Sequence, residues 1–167
     1  RLVTLHTRED LTERMKVWSA QRLTGLEGED LDGFVLKNRS PSCGMERVKV
    51  YVSGPTSVRR GTGLFARALM DRYPCLPVEE EGRLSDPALR EHFVERIFAH
   101  RRWQEFRAAS PAPNDLIVFH ARHKLQLMAH SVEGVRGLGR LVATLGKDPL
   151  EEVLAGYEVG YFRILAR

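Results

Sequence analysis

Apolar positions along this chain follow two rhythms, one of helical period and one of short extended runs. Over residues 10–26, Leu11, Met15, Trp18 and Leu23 recur at near-helical spacing, and Gly25 and Gly28 stop the pattern. An amphipathic helix packed on a surface is expected there. Phe34-Val35-Leu36 and Val48-Lys49-Val50-Tyr51-Val52 are β-branched or aromatic runs flanked by glycine, proline and serine. They read as two strands joined through the loop 37–44. Gly61-Thr62-Gly63 opens a helix over residues 64–73, and Leu76-Pro77-Val78 is a short strand in which Pro77 marks an edge. Strand, loop, strand, helix, strand in this order describes a partial α/β layer.

Beyond Gly82 the helical rhythm takes over. Asp86 stands before Pro87 as a capping carboxylate, and Leu89, Phe93 and Ile97, with Val94 and Phe98, give a long amphipathic helix to Arg107. Ser110-Pro111-Ala112-Pro113-Asn114 interrupts it. Helices over 115–131 and 135–145 follow, and a third begins at a capping box, Asp148-Pro149-Leu150-Glu151. The fold class is therefore α/β, a short sheet with flanking helices, followed by an all-α segment, with the division into 1–109 and 110–167.

Composition narrows the classes. The chain has 167 residues, 43% hydrophobic and 29% charged, which suits a packed core and not a disordered chain. No run approaches the ~20 apolar residues of a membrane span, and no basic-apolar-small signal opens the chain, so a cytoplasmic protein is expected. Leu2-Val3-Thr4-Leu5 reads as an element already under way, so a longer parent polypeptide is expected. Net charge is +4 with the signs interspersed, which permits an anionic partner without demanding nucleic acid. Two cysteines, Cys43 and Cys75, make neither a disulfide framework nor a four-cysteine metal site.

Five constellations could carry chemistry. In Ser40-Pro41-Ser42-Cys43-Gly44 a thiol sits between a hydroxyl residue and a glycine at a strand end, where backbone N–H groups and a soft metal can approach it; taken bare, a lone cysteine in a turn reads first as structural or incidental. Cys75, inside an apolar run, reads as a small core residue. Arg59 and Arg60 ahead of Gly61, Thr62 and Gly63 would offer cations and free helix N-terminal donors to an anion, or form a plain turn with Thr62 as the cap. Glu79-Glu80-Glu81 could bind a cation or act as a base, but a charge run of this kind reads first as a solvated edge.

In the helical part, His120, His123 and His130 share a stripe with Leu116 and Leu127, while Ile117, Ala121, Leu125 and Met128 form a separate apolar face. Two buried sides are thus expected. His130 lies about 10 Å along the axis from His123, which excludes a three-histidine metal site within this helix. The histidines read either as satisfied core residues or, with Lys124, as a binding or proton-transfer set. The cations Arg96, Arg101, Arg102, Arg107, Arg122, Lys124, Arg136 and Arg140 outnumber Glu105, Asp115 and Glu133; with Trp103 and Phe106 they form either a solvated face or a surface for nucleic acid.

Read together, Lys37-Asn38-Arg39-Ser40-Pro41-Ser42-Cys43-Gly44-Met45-Glu46-Arg47-Val48-Lys49-Val50-Tyr51, GTGLFARALM and LPVEEEGRL resemble the carboxyl-terminal part of the YbbK-like family that includes the thiouracil desulfidases. FHARHKLQLMAHS and GLGRLVA resemble the start of the helical YbgA-like domain that often follows it. The first resemblance implies an iron-sulfur enzyme, in which three cysteines hold a 4Fe-4S cluster and leave one iron open to a thiocarbonyl sulfur. Cys43 matches one ligand, Ser40 and Ser42 shape the catalytic loop, and Lys37, Arg39, Gly61, Thr62 and Gly63 are candidates to bind substrate. The other two ligands are expected in a preceding segment, so the chain by itself is expected to be inactive. The implied partner is a small thiolated nucleobase or thiolated RNA. A rival reading makes the helical half a non-catalytic module for thiolated or damaged nucleic acid.

Overall fold

The computed structural model describes residues 1–53 and 56–166, and its backbone clusters into two compact units, Arg1–Val94 and Glu95–Arg167. The first is a small α/β unit. Helix α1 (Thr12–Leu26) starts where the Thr12 amide donates to the Asp10 carboxylate at 2.9 Å. Strand β1 (Phe34–Leu36) pairs in parallel with β4 (Val78–Glu80), Phe34 opposite Val78 and Leu36 opposite Glu80. A parallel pair needs a crossover, and helix α2 (Leu64–Arg72) lies within the connection.

The second run, β2 (Val48–Ser53), does not pair with β1. It pairs antiparallel with β3 (Thr56–Gly61), a strand the sequence pattern hid because Val58 is its only β-branched apolar residue. Leu23 and Leu26 of α1, Leu36, Phe65, Ala66 and Leu69 of α2, Leu76 and Val78 close the core of this unit. Cys43 and Met45 pack against that core from the loop between β1 and β2. Trp18, expected inside, is half exposed and meets Phe65 at 5.4 Å between ring centroids.

Helix α3 (Pro87–Ala108) begins as expected, with Asp86 Oδ1 accepting from the Ala88 amide at 2.8 Å. Its apolar stripe differs from the expected one. Val94 and Phe98 are exposed, whereas Ala99, His100 and Trp103 are buried. The second unit continues with α4 (Pro113–His130), α5 (Val132–Val142) and α6 (Leu150–Leu165), which pack on one another. Ser131 ends α4 and caps α5, its hydroxyl accepting from the Gly134 amide at 3.0 Å. The capping box expected at Asp148 is not formed. Pro149 holds the N-cap position of α6 without a side-chain hydrogen bond.

Fully buried Trp103 is the centre of this unit, stacked on Tyr157 at 5.6 Å and edge-on to Phe119 at 5.4 Å. It therefore builds the core and is not a ring presented to nucleic acid. Rings of this size bury much apolar area and gain from tilted packing, so truncating Trp103 to alanine should cost ~3–5 kcal/mol. On α6, Gly160 lets α5 approach: a β-carbon there would lie 2.6 Å from Leu138 Cδ2. The expected second buried side of α4 is absent, because Ile117 and Leu125 are exposed, the latter by 80%.

Candidate functional site

The acidic run on β4 is the largest departure from the sequence reading. Glu79 and Glu80 are buried, at 7% and 6% exposure, and are not a solvated edge. Buried carboxylates demand donors, and here the donors come mainly from the Cys43 loop and its flanks. Glu80 Oε1 accepts from the Met45 amide at 2.8 Å and from the Glu46 amide at 3.4 Å. Glu81 Oε2 accepts from the Asn38 amide at 2.6 Å, and its Oε1 lies 3.1 Å from Lys37 Nζ. The Asn38 amide, followed by Lys37, holds the Glu81 carboxyl below its ordinary range. Glu79 takes Arg83 Nε at 2.7 Å, and Arg83 also reaches Glu46 at 3.0 Å. The three glutamates thus fasten both ends of the loop to the parallel pair.

The middle of the loop is fastened to α2. Pro41 O accepts from the Leu64 amide at 3.3 Å, while Ser42 O accepts from Phe65 at 2.9 Å and Ala66 at 3.1 Å. Gly63 donates to Gly44 O at 2.8 Å. These bonds use the first amides of α2, which corrects the expectation of free N-terminal donors beside Gly61 and Thr62. Thr62 does not cap the helix either, since the N-cap position belongs to Gly63 and carries no side-chain bond. Any β-carbon on Gly63 would overlap the Ser42 and Cys43 backbone, so only glycine permits this approach.

Inside the loop, Ser40 Oγ accepts from the Ser42 amide at 3.3 Å and the Cys43 amide at 3.2 Å. With its acceptor sites used in this way, its O–H points to Ser42 Oγ at 3.0 Å, and the Ser42 hydroxyl, 3.3 Å from Cys43 Sγ, donates to that sulfur when it is a thiolate. Hydroxyl donors therefore run in series toward the half-buried sulfur. Two non-glycine residues in the left-handed region, Arg39 at φ +54° and Arg47 at φ +57°, bracket the loop. Such conformations are sparsely populated and are kept here by the fixed anchors on either side.

A cleft of about 230 Å³ opens beside the loop, lined by Asn38, Arg39, Glu46, Arg47, Arg59, Glu80, Gly82 and Arg83. Arg83 is held by two carboxylates, whereas Arg39 and Arg59 have no carboxylate partner among the described residues. The structure thus brings Ser40, Ser42 and Cys43 together, with Arg39 on the adjoining cleft, and ties Lys37 to Glu81. Glu79, Glu80 and Glu81 are visible in the sequence as a charge run, but nothing in three consecutive glutamates signals their burial. Cys75 is half-buried and lies outside this loop.

The second unit holds the histidines apart. His123 is buried, its Nδ1 donating to Phe119 O at 2.8 Å. His120 Nδ1 lies 3.1 Å from Tyr157 Oη, and His130 Nε2 lies 3.1 Å from Glu95. Burial lowers the His123 and His120 pKa values from the usual range, with Lys124 adding to the effect on His120 and Arg102 and Arg122 on His123, where the Phe119 carbonyl opposes it. Several of the expected surface cations are engaged: Arg101 with Glu105 at 2.9 Å and Arg107 with Glu151 at 2.8 Å.

Residues 1–81 match the family model of 2-thiouracil desulfurase, and residues 124–167 match that of a protein of unknown function, DUF1722. The two matches are consistent with a thiouracil desulfidase-like domain followed by a helical domain of unknown function. No curated protein and no solved structure matches it. The first match covers the whole Cys43 loop with its anchors; the second begins at Lys124 and covers α5 and α6. No helix among the described residues is long and apolar enough to cross a membrane.

A 4Fe-4S cluster is what the desulfidase likeness implies, and the donor set here does not complete a site for one. Among the described residues no group of three histidine, cysteine or acidic side chains is placed to hold a metal ion. The loop offers one thiol, where a cluster needs at least three protein ligands with an open iron.

Proposed function

We propose that the first unit carries the SPSC loop of a desulfidase acting on thiouracil-type thiocarbonyl compounds, with Cys43 as one thiolate ligand of a 4Fe-4S cluster whose other ligands come from a preceding segment. The observation that supports this reading is the threefold anchoring of the Cys43 loop, by buried glutamates, by the α2 amides and by the serine hydroxyls. A single soft donor fixed in this way suits a ligand that must keep its position while another coordination site stays open. Ser40 and Ser42 orient the sulfur and supply hydroxyl donors next to it. Arg39 and Arg59, on the cleft beside the loop, are the groups available to the polar part of a thiolated nucleobase, free or within RNA. The chain by itself is inactive in this reading, and the protein works in the cytoplasm.

The test is anaerobic reconstitution of the parent polypeptide, scored as iron and sulfide per chain together with release of sulfide from thiouracil. Cys43→Ala should abolish both, and Cys75→Ala should leave both close to the unsubstituted level. Equal loss in the two variants would remove Cys43 from its proposed role.

A further inference from the structure

The second unit has a groove of its own. Helices α4 and α5 separate to leave a depression of about 280 Å³ lined by His120, Lys124, Met128, Val132, Val135, Arg136 and Gly139. Two features distinguish it from an ordinary gap between helices. Its walls are apolar, with the methionine and both valines, yet the cations Lys124 and Arg136 stand on opposite helices. Neither cation has a carboxylate partner among the described residues, although Arg101 and Arg107 of the same unit do.

His120 closes the groove. Its Nδ1 is occupied by Tyr157 Oη at 3.1 Å, and a β-carbon built on Gly139 would lie 3.7 Å from its Nε2. Nε2 therefore faces α5 at the groove, and the absence of a side chain at Gly139 leaves room beside it. When the buried Tyr157 phenol donates to Nδ1, the ring carries its proton on Nε2 and presents an N–H donor to the groove.

We infer that the α4–α5 groove binds a small amphipathic anion, a carboxylate or phosphate monoester with an apolar body. Lys124 and Arg136 would hold the anionic head, with His120 Nε2–H as a third donor. The apolar body would lie along Met128, Val132 and Val135. Charge and polarity select this class together. Unpaired cations of one sign favour an anion, and the apolar walls reward a ligand that removes them from water. The volume is at the small end for ligand sites, which suits a small ligand.

The test uses the 167-residue chain with octanoate and hexyl phosphate as probes, followed by calorimetry and by amide shifts of α4 and α5. Octan-1-ol and inorganic phosphate serve as controls that lack the head or the body. Saturable binding of either anionic probe, weakened about tenfold or more by Lys124→Ala and by Arg136→Ala, is expected. Arg140→Ala, a cation outside the lining, should change affinity less than about twofold. Preference between the two probes identifies the head group. Unchanged thermal unfolding of the variants shows that binding and not folding was altered; if Lys124→Ala melts early, Lys124→Gln replaces it. Absence of saturable binding overturns the proposal, as does equal weakening by Arg140→Ala. So does binding of an RNA oligonucleotide with both small probes silent, which would assign these cations to a polyanion surface.

Discussion

Replacing Glu80 by leucine isolates the anchoring of the Cys43 loop. Glu80 Oε1 accepts one good hydrogen bond, from the Met45 amide at 2.8 Å, and one near the distance limit, from Glu46 at 3.4 Å. A hydrogen bond to a charged group contributes ~1.5–3 kcal/mol, and an orphaned buried donor costs ~1–3 kcal/mol; these are two views of one loss and do not add. Removing a buried carboxylate also relieves its desolvation, which moderates the effect. The net expectation is a loss of ~2 kcal/mol for Glu80→Leu and ~1 kcal/mol or less for Glu80→Gln, which keeps an acceptor oxygen in place. Trp18 reports on the first unit and Trp103 on the second, so urea unfolding is followed by Trp18 fluorescence in a Trp103→Phe background. At a slope of ~2 kcal/mol per molar, the leucine variant should unfold about 1 M earlier. Alkylation of Cys43, in a Cys75→Ser background, should quicken in parallel. A leucine variant as stable as its parent, with unchanged alkylation, would refute the anchoring.

Two further perturbations probe the two units separately. Gly63→Ala places a β-carbon against the Ser42 and Cys43 backbone, which cannot retreat as a side chain would; a loss of ~2–4 kcal/mol in the first unit, read by Trp18 fluorescence, should accompany it, with Trp103 unaffected. For His123, burial holds the folded pKa below the ordinary 6.5, so the unfolded chain takes up the proton first and the second unit is fully stabilised only above that pH. Stability read by Trp103 should therefore fall as pH drops below about 6.5, and His123→Gln should flatten that slope; an unchanged slope would show that His123 is not its source.

The helices were legible because their signals are local. Asp86 and Pro87 mark the start of α3 by chemistry confined to a single turn, whereas the Ser131 cap of α5 was missed, the helix being expected only from residue 135. The strand pairing was not legible in this way. Parallel pairing of β1 with β4 joins residues more than forty positions apart, and nothing in Phe34-Val35-Leu36 names Val78 as its partner. β3 was hidden by its arginines. The role of Glu79, Glu80 and Glu81 was missed because a charge run ordinarily belongs in water, and only the folded loop shows the backbone amides that replace water. The same limitation applies to α4, where Leu125 and Ile117 fit an apolar face by spacing but meet no partner in the fold of this unit. Of the candidate site, Ser40, Ser42 and Cys43 were readable as a motif. The cleft beside them was not, because Arg39 and Arg59 approach it from separate elements.

The most direct test of the central claim is the iron and sulfide content of the parent polypeptide after anaerobic reconstitution, compared among the unsubstituted chain, Cys43→Ala and Cys75→Ala. Cluster loading lost with Cys43→Ala and retained with Cys75→Ala is the predicted result. A stoichiometric cluster surviving in Cys43→Ala would contradict it.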